Sequence, residues 1–332
     1  MSERIKESVI KNQRISHKDK YLQYYFIKIE FLREKALSFL NPELDSGNVK
    51  GRLKKRWLFW EQLGANKFIV NVIREGYKLN FESIPSEKYF KNNQSALNNV
   101  EFVNETLREL LNSGAIIEVP FQPTVVSPLS VNTRPSGKKR LILDLRYVNK
   151  HLVKEHIEFS DWRVFSQFIR SDGFVFNFDL KKGYYHVDIF PDHQMFLGFS
   201  WKIENKEKFF IFTVLQFGLS SAPALFTRLL RPLISVWHKQ GINISVYLDD
   251  GACIAYSYNK TVEHSYKVKK LLTDSGFVIN EEKSNWKPSR SMTWLGIIVN
   301  LEENTYKITS ERVLSLLSSI NFILKTPYTT AR

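Results

Sequence analysis

The sequence is poor in sulfur, in long apolar runs and in acidic side chains. A single cysteine, Cys253, among 332 residues leaves no partner for an internal disulfide, and the 7 histidines are scattered, so neither a disulfide framework nor a structural zinc site is expected. The compartment this implies is reducing. No stretch reaches the roughly 18 uncharged apolar residues that a membrane-crossing helix requires. The nearest candidate, YLQYYFIKIEFLREKALSFL, contains Lys28, Glu30, Arg33, Glu34 and Lys35 and reads instead as an amphipathic helix. The opening MSERIKESVIKNQR lacks the apolar core of a signal peptide, so an intracellular protein, cytoplasmic or nuclear, is expected. Long Gly, Ser or Pro linkers and internal repeats are missing too.

Acidic side chains number 34 against 48 Lys plus Arg, a net charge of +14. That excess suits a polyanionic partner, nucleic acid ahead of an acidic membrane surface, although a basic soluble protein without such a partner remains open. Residues 1 to 60 hold 14 basic and 7 acidic side chains, a net +7. This basic leader is either a nucleic-acid-binding arm or a solvated tail.

What is present is a 43% hydrophobic composition, enough for a substantial core in one large or two moderate domains. In LNNVEFVNETLRELLNSGAIIEV, Val100, Val103, Leu107 and Leu110 recur at helical spacing and Gly114 marks the stop before a short strand. TVVSPLSVNTRPSGKKRLILDLRYVNK reads as two strands joined by an RPSG hairpin, with Leu141, Leu143 and Leu145 on one face and Arg140, Asp144 and Arg146 on the other. In GFVFNFDLKKGYYHVDI, Phe174, Phe176 and Phe178 oppose Val175, Asn177 and Asp179, so Asp179 ends a buried strand.

Further on, FGLSSAPALFTRLLRPLISVWHKQG predicts a helix capped by Ser220 or Ser221 and stopped at Gly241, with Leu225, Leu229, Leu233 and Trp237 facing inward. KTVEHSYKVKKLLTDSGF predicts a second helix ending at Gly276, and MTWLGIIVNLEENTYKI a hairpin around EENT. SERVLSLLSSINFILKTP predicts a last helix with Glu311 in its first turn and Lys325 in its last. Interleaved strands and helices make the class α+β with a largely antiparallel sheet.

In SVYLDDGACIAY, two apolar strands flank DDG, which places Asp249 and Asp250 at a hairpin tip. Taken alone, DDG is an ordinary solvated turn. A third carboxylate, Asp179, at the end of another buried strand changes the chemistry available. Three hard oxygen ligands of this kind can hold two divalent cations roughly 3.5–4 Å apart and serve in-line phosphoryl transfer without a side-chain nucleophile.

These segments together resemble the ordered motifs of a reverse transcriptase of the retrotransposon type, over roughly residues 100 to 300. FDLKKGYYHVDI resembles the first palm motif, which implies Asp179 as a metal ligand and Tyr184 as the gate against a ribonucleotide 2′-hydroxyl. LQFGLSSAPALF resembles the second, with Phe217 and Gly218 lining the incoming-nucleotide and template pocket. YLDD matches the family's Tyr-x-Asp-Asp box, which implies Asp249 as the second principal ligand and Asp250 as its neighbour.

The fingers motif is KKRLILDLRYVNK, where Arg140, with Lys139, would hold the triphosphate. GFVINEEKS resembles the fourth palm motif and nominates Lys283 as proton donor to the departing pyrophosphate, and WLGIIV resembles the primer grip, through Trp294, Leu295 and Gly296. Gln216 stands where the family usually carries proline.

The resemblance implies a right-hand polymerase fold: a basic helical lead over 1–96, fingers over about 97–173 and 190–217, a palm over about 174–189 and 218–300, and a partial thumb or connection over 301–332. The implied activity is RNA-directed DNA polymerisation with two Mg²⁺ ions (Mn²⁺ as an alternative), an RNA template, a DNA primer and dNTPs. GRLKKRWLFWEQLGANKFIVNVIREGYKLNF and the C-terminal segment look most like DIRS-like, tyrosine-recombinase elements. In those elements an RNase H domain follows, so a chain truncated before RNase H is expected. The rival expectation is a catalytically inactive, nucleic-acid-binding remnant of a decayed element.

Overall fold

A computed structural model describes residues 48–134 and 137–326. The amphipathic helix expected before residue 41, nearly all of the basic leader, and Pro135 and Ser136 of the RPSG turn lie outside the described residues. Backbone contacts divide the chain into two compact units, one holding Ile84–Val148 and Phe190–Thr213, the other Val49–Ser83, Asn149–Ile189 and Val214 onward.

The first unit is built on a five-stranded sheet in the order Lys88–Tyr89, Val125–Val126, Gly198–Ile203, Lys206–Phe212, Ile116–Val119. Its first two pairings are parallel and the others antiparallel. The helix Val100–Asn112 buries Val103, Leu107 and Leu110 as its spacing predicts, and the chain turns at Gly114 in the left-handed region. Val100, in contrast, is exposed, because it opens the helix beyond the buried stripe.

The TVVSPLS run does not continue as one strand. It breaks at Pro128, which has no backbone N–H for a ladder, into Val125–Val126 and Leu129–Thr133. Leu129–Thr133 pairs with Lys139–Leu143 as a two-stranded ribbon, with Arg140 opposite Asn132 and Lys139 opposite Thr133. That second strand ends at Leu143, short of the expected alternation through Arg146. Asp144 and Arg146 instead form a fork-shaped ion pair as a short helix, Arg146–Asn149, begins.

Among the described residues, the second unit carries seven strands. They are β1 (Phe174–Asp179), β2 (Asn243–Tyr247), β3 (Asp250–Ala255), β4 (Asn285–Ser289), β5 (Ser291–Trp294), β6 (Ile297–Asn300) and β7 (Thr305–Ile308). The first four make an antiparallel sheet in the order β4-β1-β3-β2, and the last three a separate antiparallel meander. β1 is covered on both faces. Val175 joins Phe165, Ala252, Ile254, Met292, Trp294 and Val299 on one side, while Phe178 stacks on Trp286 and meets Trp237 edge-on.

The helix Ala222–Lys239 buries Leu225, Leu229, Leu233 and Trp237, and Gly241 follows in the left-handed region. Ser221 takes the cap position without a side-chain capping bond. The helix Tyr258–Ser275 stops at Gly276 as expected, and the Trp60 indole, fully buried, donates to the Ser275 carbonyl at 2.9 Å. MTWLGIIVNLEENTYKI makes two turns instead of one. Leu295 and Gly296, both with positive φ (48° and 75°), form a two-residue turn between β5 and β6, and 301–304 turn between β6 and β7. The helix Ser310–Lys325 has Glu311 and Lys325 in its end turns and buries none of its side chains. Among the described residues, no helix is long and apolar enough to cross a membrane.

Gly251, expected as a turn residue, lies inside β3 instead. It pairs with Phe178, and a Cβ there would stand 2.2 Å from the Phe178 Cε1. Gly251→Ala is therefore expected to destabilise the protein by roughly 1–3 kcal/mol through overpacking. In a Phe178→Leu background the same change should cost less, a coupling that urea unfolding of the four proteins measures.

Candidate active site

The sheet brings the three carboxylates to one end of β1 and β3. Asp179 is the last residue of β1, Asp250 the first of β3, and the two are cross-strand partners. The hairpin tip is Leu248–Asp249, one residue earlier than expected, since Asp250 already pairs with Tyr247. Leu248 takes φ 54°, a conformation that favours glycine, and so holds strain at the tip. The Leu180 N–H donates to the Asp249 carbonyl at 2.9 Å, tying the tip to the end of β1.

Asp179 is held from a third direction. Asn280 donates from its side chain to Asp179 Oδ1 at 2.9 Å and from its backbone to the Asp179 carbonyl at 2.8 Å. The Asp179 N–H donates to Ser284 Oγ at 3.0 Å, and that hydroxyl donates to the Asn280 carbonyl. The exposed Lys283 ammonium stands 3.7 Å from Asp179 Oδ1. Burial, then the charges of Asp179 and Asp249, push the Asp250 carboxyl up to about 6, with Lys283 opposing. Among the described residues, no three His, Cys, Asp or Glu groups are gathered as a ready-made metal cage. The donor chemistry nonetheless fits a hard divalent cation: the charges of Asp179 and Asp249 both act on the Asp250 carboxyl, and carboxylate oxygens are hard ligands.

Beside the carboxylates lies an aromatic wall. Tyr184, on the short 3₁₀ turn Gly183–His186, is buried, and its ring lies 4.6 Å from that of Phe217 and 5.3 Å from that of Phe226. Its phenol is pushed up to about 12, first by burial and then by the Asp249 charge. Phe217 is 54% exposed, an aromatic face open to a ligand. Gly218 follows with φ 92°. Asn149 grips this loop from both sides, donating to the Gly218 carbonyl at 2.8 Å and accepting from the Ser220 N–H at 2.9 Å. Gln216 is buried with its amide directed at the Val214 carbonyl.

Residues 131–299 match the family model described as reverse transcriptase (RNA-dependent DNA polymerase). The chain belongs to the reverse transcriptase family. It is 27% identical over 323 residues to the Pro-Pol polyprotein of feline foamy virus, an alignment covering 89% of this chain and 26% of that protein. It is 24% identical over 281 residues to a retrovirus-related Pol polyprotein from transposon 297 of Drosophila melanogaster, covering 80% and 25%. The chain thus spans about a quarter of the length of these curated relatives. Among solved structures, the foamy viral protease-reverse transcriptase in complex with dsDNA superposes with a TM-score of 0.57 at 21% identity, over 81% of this chain and 61% of that one. The same viral protein with an RNA/DNA hybrid superposes with a TM-score of 0.56 at 20% identity, over 81% and 39%. The fold is that of a right-hand polymerase.

The other positions nominated from the reverse transcriptase motifs sit as follows. Lys139 and Arg140 are exposed on the ribbon of the first unit. Trp294 is buried and packs edge-on against Phe165 at 5.2 Å, so its indole serves the core, while Leu295 and Gly296 form the turn between β5 and β6. The Arg312 guanidinium donates to the Leu295 carbonyl at 2.8 Å and pins that turn. Sequence reasoning missed Asn280 and Ser284 as the groups holding Asp179, and Asn149 as the clamp on the Phe217 loop. The first two lie inside GFVINEEKS, where an amide and a hydroxyl flanking Lys283 were the available signal. Asn149 carried none, since its partners lie about 70 residues away.

The raised Asp250 pKa sets a pH dependence in the metal-free protein. The folded state keeps this proton up to about pH 6 while the unfolded chain releases it near pH 4, so stability falls as pH rises through that window. Asp250→Asn removes the effect. In EDTA, it is expected to stabilise by on the order of 2 kcal/mol at about pH 7.5 and to match the wild type near pH 4. Thermal melting across pH reads this, and a gain equal at both ends would contradict it.

Proposed function

We propose that this chain is the polymerase core of a retroelement reverse transcriptase, adding deoxynucleotides to a primer 3′-hydroxyl along an RNA template. The observation that carries the reading is the register of β1 against β3, with Asp179 facing Asp250 and Asp249 in the adjoining turn. Asp179 and Asp249, with Asp250 beside them, would hold Mg²⁺, or Mn²⁺ in its place. A bound pair of such ions favours deprotonation of the 3′-hydroxyl and stabilises the entering and leaving oxygens of in-line transfer.

The chain's own side chains do the positioning. Tyr184, packed between Phe217 and Phe226, presents bulk where a ribose 2′-hydroxyl would enter, and Phe217 and Gly218 line the nucleotide pocket. Lys139 and Arg140 grip the triphosphate, the guanidinium bidentately. Lys283 passes a proton to the departing pyrophosphate, and the turn Leu295–Gly296, backed by Trp294, bears on the primer end.

In this reading the fingers span about 97–173 and 190–217 and the palm about 174–189 and 218–300, so residues 149–173 of the second unit count with the fingers, and the helix Ser310–Lys325 starts a thumb. The template-primer is an RNA–DNA hybrid held through its phosphates, in keeping with the +14 charge and with the nucleic acids bound in the foamy viral structures. Binding is then largely independent of sequence and falls steeply with salt. The element is a retrotransposon, of the DIRS-like kind by its flanking segments, and a tyrosine-recombinase gene beside this one would support that placement.

Primer extension on an RNA template tests the function. Wild type is expected to extend with Mg²⁺, and Asp249→Ala to lose at least about a hundredfold in rate, beyond the effect typical of supporting residues. Binding without extension by the wild type would favour the inactive, nucleic-acid-binding alternative. Tyr184→Ala is expected to raise ribonucleotide incorporation relative to deoxynucleotide by about tenfold or more, read as a ratio of kcat/KM values.

A further inference from the structure

His186 is a titratable side chain next to the proposed site that the reaction leaves unused. It ends the 3₁₀ turn Gly183–His186 and is only 2% exposed. Its Nδ1 lies 2.9 Å from the Gly183 carbonyl, and its Nε2 lies 2.9 Å from the Val278 N–H. A carbonyl can only accept and an amide N–H can only donate, so the ring is neutral with its proton on Nδ1. Burial, which lowers the imidazole pKa to about 4, keeps it in that form.

The two groups that His186 joins lead to different carboxylates. A Cβ on Gly183 would lie 3.0 Å from the Asp249 Cβ, so the backbone just before Tyr184 rests against Asp249. Val278 accepts from the Lys181 N–H at 2.8 Å, Ile279 bridges Leu180, and Asn280 grips Asp179. Phe277 supports the ring at 5.1 Å in an edge-on arrangement.

We propose that His186 is a positioning residue, whose ring holds the turn carrying Tyr184 against Asp249 in register with the segment Val278–Asn280 that orients Asp179. The proposal rests on the polymerase reading for the roles of those residues. An apolar replacement would leave the Val278 N–H buried without an acceptor, and the segment holding Asp179 would then lose its link to the Tyr184 turn.

The test uses the full chain and two conservative variants. Glutamine at 186 can reach the Nε2 position and accept from Val278, whereas asparagine reaches only the Nδ1 position. Mn²⁺ binding by calorimetry and hydrogen exchange over residues 277–284 are measured alongside thermal midpoints. Leu107→Ala, in the core of the first unit, serves as a destabilised control. His186→Asn is expected to weaken Mn²⁺ binding about tenfold and to speed exchange at Val278, with His186→Gln within about threefold of wild type and Leu107→Ala unchanged in affinity.

Equal affinities for His186→Asn and wild type, a loss as large in Leu107→Ala, a reversed order of the two His186 variants, or no Mn²⁺ binding by the wild type would each overturn the proposal. Wild type that shows the expected Mn²⁺ and exchange pattern but extends no primer would remove the polymerase reading while leaving the positioning role standing.

Discussion

The pairing of β1 with β3 is the constraint on which the rest of the structure depends. Along most of its length it is a ladder of apolar and small residues, Phe174 with Ala255, Val175 with Ile254, Phe176 with Cys253, and it is packed on both faces. Only its last rung sets charge against charge, Asp179 opposite Asp250. The charges of Asp179 and Asp249 work against ionisation of Asp250, and the buried ladder behind them holds the rung in place. The surrounding features accommodate that rung: Gly251 yields its side-chain space to Phe178, Leu248 accepts a positive φ, and Lys283 brings a countercharge.

Around the rung, short polar side chains replace regular structure as the means of fixing loops. Asn280 and Ser284 close a ring of hydrogen bonds on Asp179, Asn149 clamps the Phe217 loop, and His186 joins Gly183 to Val278. His186 satisfies the buried Gly183 carbonyl, whereas the Asn149 bonds hold an exposed loop. The Asn149 clamp holds the loop two residues beyond Gln216. Stiffness is thus supplied by side-chain bonds across the fold.

The family match and the foamy viral superpositions agree with this architecture while covering only part of the longer relatives. The helix Ser310–Lys325 exposes Leu314, Leu317, Phe322 and Leu324. Its apolar surface contrasts with the sheet of the second unit, where nearly every large apolar side chain is covered.

Periodicity and short-range chemistry were legible directly in the sequence. The inward stripe Leu225, Leu229, Leu233 and Trp237, the stops at Gly114 and Gly276, and the end of β1 at Asp179 follow from spacing and from glycine's backbone freedom, both local properties. The candidate carboxylates were legible only together, because DDG alone reads as a solvated turn until Asp179 and the ordered motifs are set beside it. Their partners were not, because Asn280, Ser284, Asn149 and His186 act across 69 to 105 residues, and no local pattern encodes a hydrogen bond over that separation. Tertiary structure alone decided that Gly251 is a packing residue, that the tip is Leu248–Asp249, and that Trp294 is core. Phe178 fills the space over Gly251, the cross-strand pair of Asp250 with Tyr247 sets the tip, and Phe165 packs on Trp294.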